Sequence, residues 1–266
     1  MYNVMMPHLA RITLFPVKAL DGHALEQARL LSSGALRHDR QFALCDSEGA
    51  YINGKRTDRV HRVRSRVDFA RRLLTVRIAG DEMRFHLDQD RDRLQAWFSD
   101  YFGVAVHLVE NAAGGFPDDT HAPGPTVIST ATLREVASWF PGLGLDDVRQ
   151  RFRANLEIDG VEPFWEDRLY GPEPVGIEFR VGDVMFAGVN PCRRCIVPTR
   201  SPQTGEPLAA FARQFAERRR ETLPVWADRS RFDHFYRLAV NTRLVGAGGG
   251  IVRVGAAVGI AEKRLG

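Results

Sequence analysis

The sequence predicts a mixed, β-rich α/β fold in which most strands run antiparallel. Short runs of partly alternating apolar and polar residues recur along the chain, separated by turns that contain Gly or Asp. Apolar residues at helical spacing are confined to a few segments. Because the strands follow one another without regular helical crossovers, an antiparallel arrangement is favoured over a parallel sheet.

Residues 10–110 carry the first group of predicted strands. The turn signals DSEG and IAGD are the clearest indications of hairpins between them. One helix interrupts the strands over residues 90–103, where apolar and aromatic side chains recur on one face. The predicted strands lie within the segments ARITLFPV, RQFALCDSEGAYI, VRSRVDFARRLLTVRI, EMRFHL and AVHLVE.

Residues 111–126 are rich in Gly, Pro and Asp and form the predicted domain boundary. We therefore expect one domain over residues 1–110 and a second over residues 111–266. The elements expected in the second domain are a helix in TATLREVASWFPG that opens on a Thr cap, a short helix or turn leading into a strand in DDVRQRFRANLEIDG, a strand pair around the turn Gly182-Asp183, a basic helix over residues 207–221, and C-terminal strands with Gly246 to Gly250 as a hairpin turn.

Composition is typical of an ordinary globular protein. The chain has 266 residues, of which 44% are hydrophobic and 26% charged, so it can bury a sizeable core. No run approaches the roughly 18 apolar residues of a membrane span, and no secretory signal is visible, so a cytoplasmic protein without membrane association is expected. The formal charge is +4, but basic and acidic residues alternate without a basic stripe, which argues against a nucleic-acid partner.

The three cysteines, Cys45, Cys192 and Cys195, argue against a disulfide framework. Cys192 and Cys195 enclose two arginines, and this C-R-R-C pair leaves several interpretations open. A structural zinc site would need a second ligand pair, and Pro198 opposes the helix that follows a thioredoxin-like redox pair. A single reactive thiolate is favoured by the adjacent arginines and would suit a thiophilic metal such as molybdenum. Two core cysteines beside surface arginines are the plain alternative.

The segment N-P-C-R-R-C-I-V-P-T-R-S-P-Q-T-G-E, which begins at Asn190, resembles the signature of MOSC domains. These domains occur in the C-terminal part of molybdenum-cofactor sulfurases and in the mitochondrial amidoxime-reducing components and their bacterial relatives. Further segments resemble the family in the same order, and together they cover residues 8–260. They are F-P-V-K from Phe15, G-A-L-R-H-D-R-Q-F from Gly34, I-S-T-A-T-L from Ile128, R-F-R-A-N-L from Arg151, F-W-E-D from Phe164 and V-G-D from Val181.

The resemblance implies an N-terminal β-barrel-like module packed on a MOSC β-barrel with flanking helices. It also implies a molybdenum cofactor of the molybdopterin type in the cleft between the two parts, with the Cys195 thiolate as the metal ligand and a catalytic residue. The implied activity is the reduction of N-hydroxylated or other N-oxygenated small molecules by removal of oxygen. Pyridoxal phosphate is not expected to be required.

A cofactor of this kind needs cations and hydroxyls for its phosphate, amide groups for its pterin edges and one thiolate for its metal. Three hydroxyl residues lie where a helix is predicted to begin, so their hydroxyls and the free amides there can bind an anion. Arg153 and Asn155, two apart on a predicted extended segment, would face the same side of a strand. Each residue taken singly has an ordinary structural explanation, but together they favour ligands. The expected cofactor-binding residues are Lys18, Arg37, Arg40, Ser129, Thr130, Thr132, Arg153, Asn155, Asn190 and Cys195.

The second expected catalytic residue is Asp167, or its neighbour Glu166, as a proton relay, with an exposed acidic turn as the plain alternative. His38 and His121 are further candidates. Electrons are expected from a separate reductase or a ferredoxin-like protein. Two other functions stay open: a carrier that holds sulfur or the molybdenum cofactor on Cys195 without substrate turnover, and a non-catalytic binding protein that retains the fold without metal.

Overall fold

Strands dominate the computed structural model, which describes residues 6–246 and 248–261. The predicted β-rich α/β class is confirmed. The α-helices within the described residues are α1 (Arg91–Phe102), α2 (Thr130–Ser138), α3 (Leu145–Phe152) and α4 (Phe211–Glu221). The strands in the same ranges are β1 (His8–Leu14), β2 (His23–Leu25), β3 (Gln27–Arg29), β4 (Phe42–Cys45), β5 (Arg64–Asp68), β6 (Leu73–Ile78), β7 (Asp81–His86), β8 (His107–Glu110), β9 (Val127–Ser129), β10 (Leu156–Asp159), β11 (Ile177–Val181), β12 (Val184–Arg193), β13 (Arg237–Leu244), β14 (Ile251–Arg253) and β15 (Val258–Ile260).

The largest sheet has eight strands in the order β15-β11-β12-β13-β9-β10-β1-β2. The strand pairs in this sheet are antiparallel except for β9 with β10. The predominance of antiparallel pairs agrees with the sequence prediction. Strands β1 and β2 come from the start of the chain, so this sheet joins strands from both sides of the predicted boundary between residues 110 and 111. The boundary itself stays a prediction.

A second group of strands surrounds α1. β4 pairs with β8, while β5, β6 and β7 form a three-stranded antiparallel sheet. Leu94 and Phe98 of α1 are fully buried in the core of this group. A separate core lies on the main sheet, and a third lies among α2, α3 and α4. Among the described residues, no helix is long and apolar enough to cross a membrane.

Two helix starts differ from the sequence prediction. Helix α4 was expected from residue 207 but begins at Phe211, because Ala210 adopts a left-handed conformation with φ of 59° and Pro207 forms a bridge with Arg200. Helix α2 is capped by Ser129 rather than by a threonine, since the Ser129 hydroxyl accepts a hydrogen bond from the Thr132 amide at 3.0 Å.

The glycine run from Gly246 to Gly250 does not connect a hairpin. β13 pairs with β12 and β9, whereas β14 pairs with β3. The hairpin prediction is wrong because the two strands that the run connects have different partners. Ala247, within the run, lies outside the described residues.

Candidate functional site

A cavity of about 1380 Å³ is lined by residues from both sides of the predicted domain boundary. The elements around it are the end of β1, the loop before β9, the end of α3 and the end of β12. The predicted ligands that line the cavity are Lys18, Arg40, Arg153, Asn155, Asn190 and Cys195.

Lys18, Arg40 and Arg153 form what we call the cationic wall of the cavity. The Arg153 guanidinium lies 4.1 Å from the centre of the Phe15 ring, and the Arg40 guanidinium lies 5.2 Å from it. Lys18 is 9% exposed, and its ammonium lies 5.1 Å from the centre of the Tyr51 ring. Cation–π contacts therefore help to fix all three positive charges beside the cavity.

Arg153 does not lie on an extended segment, so the prediction that it shares a strand face with Asn155 is wrong. Helix α3 ends at Phe152, and Arg153 caps it in the left-handed conformation with φ of 53°. This turn brings the Arg153 side chain to Phe15, where its Nη2 donates to the Leu20 carbonyl at 2.7 Å. Both residues reach the cavity, but through a helix cap rather than through strand alternation.

Asn155 lines the cavity while its amide is used within the protein. Its Nδ2 donates to the Thr13 carbonyl at 3.0 Å, and its Oδ1 accepts from the amide and the hydroxyl of Thr126, both at 3.2 Å. Arg40 Nη1 lies 3.5 Å from the same oxygen. Asn155 therefore holds β1 beside the segment that leads into β9 and helps to orient Arg40.

The three positive charges of the cationic wall face two carboxylates, those of Asp39 and Asp118. Burial, and then the charge of Arg40, lower the pKa of Arg153 to about 10. Arg40 pairs with Asp39, and Lys18 pairs with Asp118 at 2.6 Å. Burial would raise the pKa of Asp118, but Arg40 and Lys18 outweigh it and lower that pKa to about 2. An anion that reached Arg153 would relieve the repulsion between the guanidinium groups.

The two cysteines of the C-R-R-C pair differ in accessibility. Both line the cavity, but Cys192 is 4% exposed and Cys195 is half-buried. The Cys192 thiol donates to Asn241 Oδ1 at 2.8 Å, and burial raises its pKa to about 11. Cys195 is thus the cysteine that a ligand in the cavity can reach, whereas Cys192 is a protonated thiol committed to the interior.

Asn241 links several groups around this pair. Its Nδ2 donates to Asn190 Oδ1 at 2.9 Å and to Asp119 Oδ2 at 3.2 Å. Because Asn241 lies on β13, its bond fixes the orientation of Asn190.

The two arginines between the cysteines bind protein groups. Arg193 pairs with Asp233, and Arg194 donates to the Phe152 carbonyl.

The hydroxyl residues at the start of α2 do not line the cavity. Ser129 and Thr132 are fully buried, and the Ser129 amide and Thr132 hydroxyl donate to Glu166 Oε2 at 3.3 and 3.0 Å. The Thr130 hydroxyl donates to Glu157 Oε1 at 2.9 Å. The acceptors at this helix start are carboxyl groups of the protein itself, so Ser129, Thr130 and Thr132 are not free to bind a cofactor.

Asp167 is buried away from the cavity. Its carboxylate pairs with Arg219 and accepts a hydrogen bond from the Tyr170 hydroxyl at 2.9 Å. Glu166 is 1% exposed. The exposed acidic turn is therefore wrong, and a proton relay from either carboxylate to the cavity has no support in this geometry.

Three further predicted residues fall in different places. Arg37 is exposed and outside the cavity lining. His38 also lies outside it, stacked on Phe69 at 4.0 Å between ring centres and hydrogen-bonded to Gln41 at 2.6 Å. His121 is exposed and lines the cavity.

Sequence reasoning missed Asp118, Asp119, His61 and Asn241, all of which line the cavity. Burial, and then the charges of nearby arginines, lower the pKa of His61 to about 4, so its imidazole is neutral at pH 7. The two aspartates stand in the segment taken as a linker, and their partners are remote in sequence. No local pattern marks such pairs.

Two family models match the chain in the order that its motifs predict. The model described as "MOSC N-terminal beta barrel domain" matches residues 6–100, and the model described as "MOSC domain" matches residues 124–258. The chain belongs to the MOSC-domain family. Both matches contribute lining residues to the MOSC cavity, with Lys18 and Arg40 in the first and Arg153 and Cys195 in the second.

Curated relatives of this MOSC chain are much longer proteins. Molybdenum cofactor sulfurase 2 of Culex quinquefasciatus is 23% identical over 259 residues, covering 80% of this chain and 33% of the relative. The molybdenum cofactor sulfurases of Oryza sativa subsp. japonica and Homo sapiens are 24% and 20% identical, covering 77% and 75% of this chain and 30% and 27% of their own lengths. The chain thus spans about a third of the length of the curated relatives it matches.

Two solved structures show partial likeness to the MOSC chain. The YuaD protein of Bacillus subtilis has a TM-score of 0.41 and 10% identity, covering 96% of this chain and 94% of that one. YiiM from Geobacillus stearothermophilus has a TM-score of 0.33 and 13% identity, covering 54% and 56%. Likenesses of this strength add nothing to the family membership, which depends on the matched domains.

Proposed function

We propose that this MOSC chain binds a molybdenum cofactor of the molybdopterin type in its cavity and reduces N-hydroxylated or other N-oxygenated small molecules. The observation that carries the proposal is that Cys195, the accessible cysteine of the C-R-R-C pair, lines the same cavity as the cationic wall. A soft thiolate and a group of cations are the donors that suit a thiophilic metal on a phosphate-bearing organic ligand. The curated relatives named as molybdenum cofactor sulfurases support the same cofactor.

The donor set fits a metal that brings its own ligands. In the described residues, 6–246 and 248–261, no group of three or more His, Cys, Asp or Glu side chains is placed so that it could hold a metal ion. A bare metal ion would therefore find too few protein ligands there, whereas a metal already held by a dithiolene needs one thiolate. The cavity of about 1380 Å³ exceeds the roughly 300–1,000 Å³ of ordinary small-molecule sites, which leaves room for a substrate as well.

In this proposal the cationic wall binds the phosphate end of the cofactor, and Asn190 offers an amide group to the pterin. Asn155 acts indirectly, because its own amide already orients Arg40. The Cys195 thiolate ligates the metal. When bound, the cofactor would supply the two-electron chemistry that removes oxygen from a nitrogen–oxygen bond. Electrons would come from a separate reductase or a ferredoxin-like protein.

Elemental analysis tests the cofactor assignment. The protein would be made in a host that synthesises the cofactor, as wild type, Cys195→Ala and Cys45→Ala. Cys45 is buried outside the cavity. Its variant is the control, because it makes the same substitution away from the proposed metal site. We expect near-stoichiometric molybdenum in the wild type and Cys45→Ala, and its loss in Cys195→Ala. Absence of molybdenum and pterin from all three proteins would refute the proposal.

A carrier function is the second candidate, favoured by the printed names of the curated relatives. In that case Cys195 would hold sulfur or the cofactor for delivery, without substrate turnover. Reduction of an N-hydroxylated amidine with a chemically reduced viologen separates the two. Turnover that depends on Cys195 supports the reductase, whereas bound molybdenum without turnover supports the carrier.

A further inference from the structure

We propose that Asp118 is a built-in competitor for the cationic wall, and that a phosphate-type anion binds there by displacing its carboxylate. The proposal depends on the proposed function only for the identity of the natural ligand. The competition itself requires neither metal nor turnover.

The Lys18 ammonium already donates hydrogen bonds to the loop that precedes β9, at residues 116 and 118. The Lys18 ammonium donates to Asp118 Oδ1 at 2.6 Å and to the Phe116 carbonyl at 2.9 Å. Lys18 is 9% exposed and lines the cavity. Two of the three N–H donors of its ammonium are taken, so an incoming anion competes with Asp118 for the charge of Lys18 and must displace the carboxylate to take the N–H that Oδ1 now accepts.

The Asp118 carboxylate has one hydrogen-bond partner among the described residues. Its side chain is 77% exposed, and the bond from Lys18 is the side-chain hydrogen bond that its carboxylate makes within the described part of the chain. Displacing this carboxylate costs that hydrogen bond and the attraction of Arg40 and Lys18 that lowers its pKa. An incoming anion must therefore bring at least as much negative charge to the same cations, as a phosphate dianion does.

A phosphate-type anion would gain a partner that Asp118 does not reach. The Arg153 guanidinium donates to the Leu20 carbonyl, and it has no carboxylate within ion-pair distance among the described residues. Lys18 and Arg153 line the same cavity, and guanidinium groups bind phosphate oxygens well. An anion in the cavity is therefore expected to gain the Arg153 guanidinium, with which Asp118 forms no ion pair.

The loop is anchored directly after Asp118. Asp119 Oδ2 accepts from Asn241 Nδ2 at 3.2 Å, and Asn241 is held by strand β13. Displacement is therefore expected to move the Asp118 side chain and its adjacent backbone without releasing the loop from the cysteine side of the cavity.

Titration with inorganic phosphate, followed by ³¹P NMR line broadening at constant ionic strength, tests the competition in the protein without metal. The variants are Asp118→Asn and, as the control, Asp146→Asn. Asp146 lines the same cavity and is 81% exposed, but it pairs with Arg149 rather than with Lys18. Both variants remove one negative charge from an exposed position, and melting curves verify that both remain folded.

We expect Asp118→Asn to bind phosphate roughly threefold to fivefold more tightly than wild type, as loss of one competing carboxylate at the edge of the cavity allows, and Asp146→Asn to change affinity less. Equal gains in both variants would overturn the proposal, because net charge alone would then explain them. Weaker binding by Asp118→Asn, or no binding by any protein, overturns it too. In either case the molybdenum content of Cys195→Ala still decides the proposed function separately.

Discussion

Arg219 of α4 and Asp167 form an ion pair with side chains that are 1% and 4% exposed. Asp167 lies in a short 3₁₀ helix, Trp165–Leu169. The Arg219 guanidinium also lies 4.2 Å from the centre of the Phe164 ring. The pair therefore fastens α4 to the segment whose Glu166 carboxylate sits at the start of α2.

Replacing Arg219 by Met should strongly destabilise the protein. The Asp167 carboxylate would keep the Tyr170 hydrogen bond but lose its buried counter-charge, which typically costs about 3–5 kcal/mol. Urea unfolding measures the change. Arg218→Met is the control, since Arg218 is 56% exposed and pairs with exposed Glu221, and it should stay within about 0.5 kcal/mol of wild type. Similar losses in both variants would contradict the buried-pair interpretation.

Glu166 should make the free energy of unfolding fall as the pH rises towards 7. Burial, and then the charge of Asp167, raise the pKa of Glu166 from 4.5 to about 7. Between those values the folded state keeps a proton that the unfolded state releases, so the associated stability is complete below pH 4.5 and lost as pH rises through about 7. Urea unfolding from pH 4.5 to 8 measures the trend.

Glu166→Gln should flatten this pH dependence, because the amide imitates the protonated carboxyl group. At pH 8 we expect the variant to unfold at a higher urea concentration than wild type. The control is Glu162→Gln, since the Glu162 side chain is 46% exposed and pairs with Arg168. This variant should keep the wild-type dependence of the free energy of unfolding on pH. An unchanged slope in Glu166→Gln would assign the pH dependence to other groups.

The sequence was sufficient for features set by local pattern. The IAGD turn predicted the hairpin of β6 and β7, and apolar spacing predicted α1. The family motifs placed Lys18, Arg153 and Cys195 in one cavity. The hairpin and the helix each depend on residues within one short segment, where periodicity carries the information. The shared cavity joins three remote segments, and the resemblance to a known family supplied that expectation.

Features that depend on remote partners could not be predicted in this way. At the start of α2 a carboxyl group stands where a cofactor anion is expected, and Glu166 supplies it from more than 30 residues away. Lys18 meets Asp118 at a separation of 100 residues. The sequence around Arg153 predicts an extended segment, because nothing in its neighbours signals a left-handed cap. Long-range packing decides such details, and one sequence does not show it.

One thiol should react rapidly with a disulfide reagent in the native protein at pH 7.5, and it should be Cys195. Cys192 is buried with its pKa raised to about 11, and burial also raises the pKa of Cys45. Thiolate content and access both control the rate. Cys195→Ser should therefore lose the fast phase, whereas Cys45→Ser should retain it. A fast phase that survives in Cys195→Ser would show that another cysteine is the accessible thiol and would contradict the assignment.

Gly188 lies on β12, two residues before Asn190, and an alanine there should disturb both stability and the cavity. A Cβ at this position would lie 2.1 Å from the Leu169 carbonyl oxygen, which is backbone and cannot rotate away. Overpacking of this kind costs roughly 1–3 kcal/mol, so we expect a clear fall in the urea midpoint. Because the strand must shift just before Asn190, the rate of Cys195 labelling should change as well. Gly171→Ala is the control, since its Cβ would meet Val175 at an ordinary 3.6 Å and should leave both measurements near wild type. A Gly188→Ala protein as stable as the control would show that β12 and Leu169 are farther apart than this packing requires.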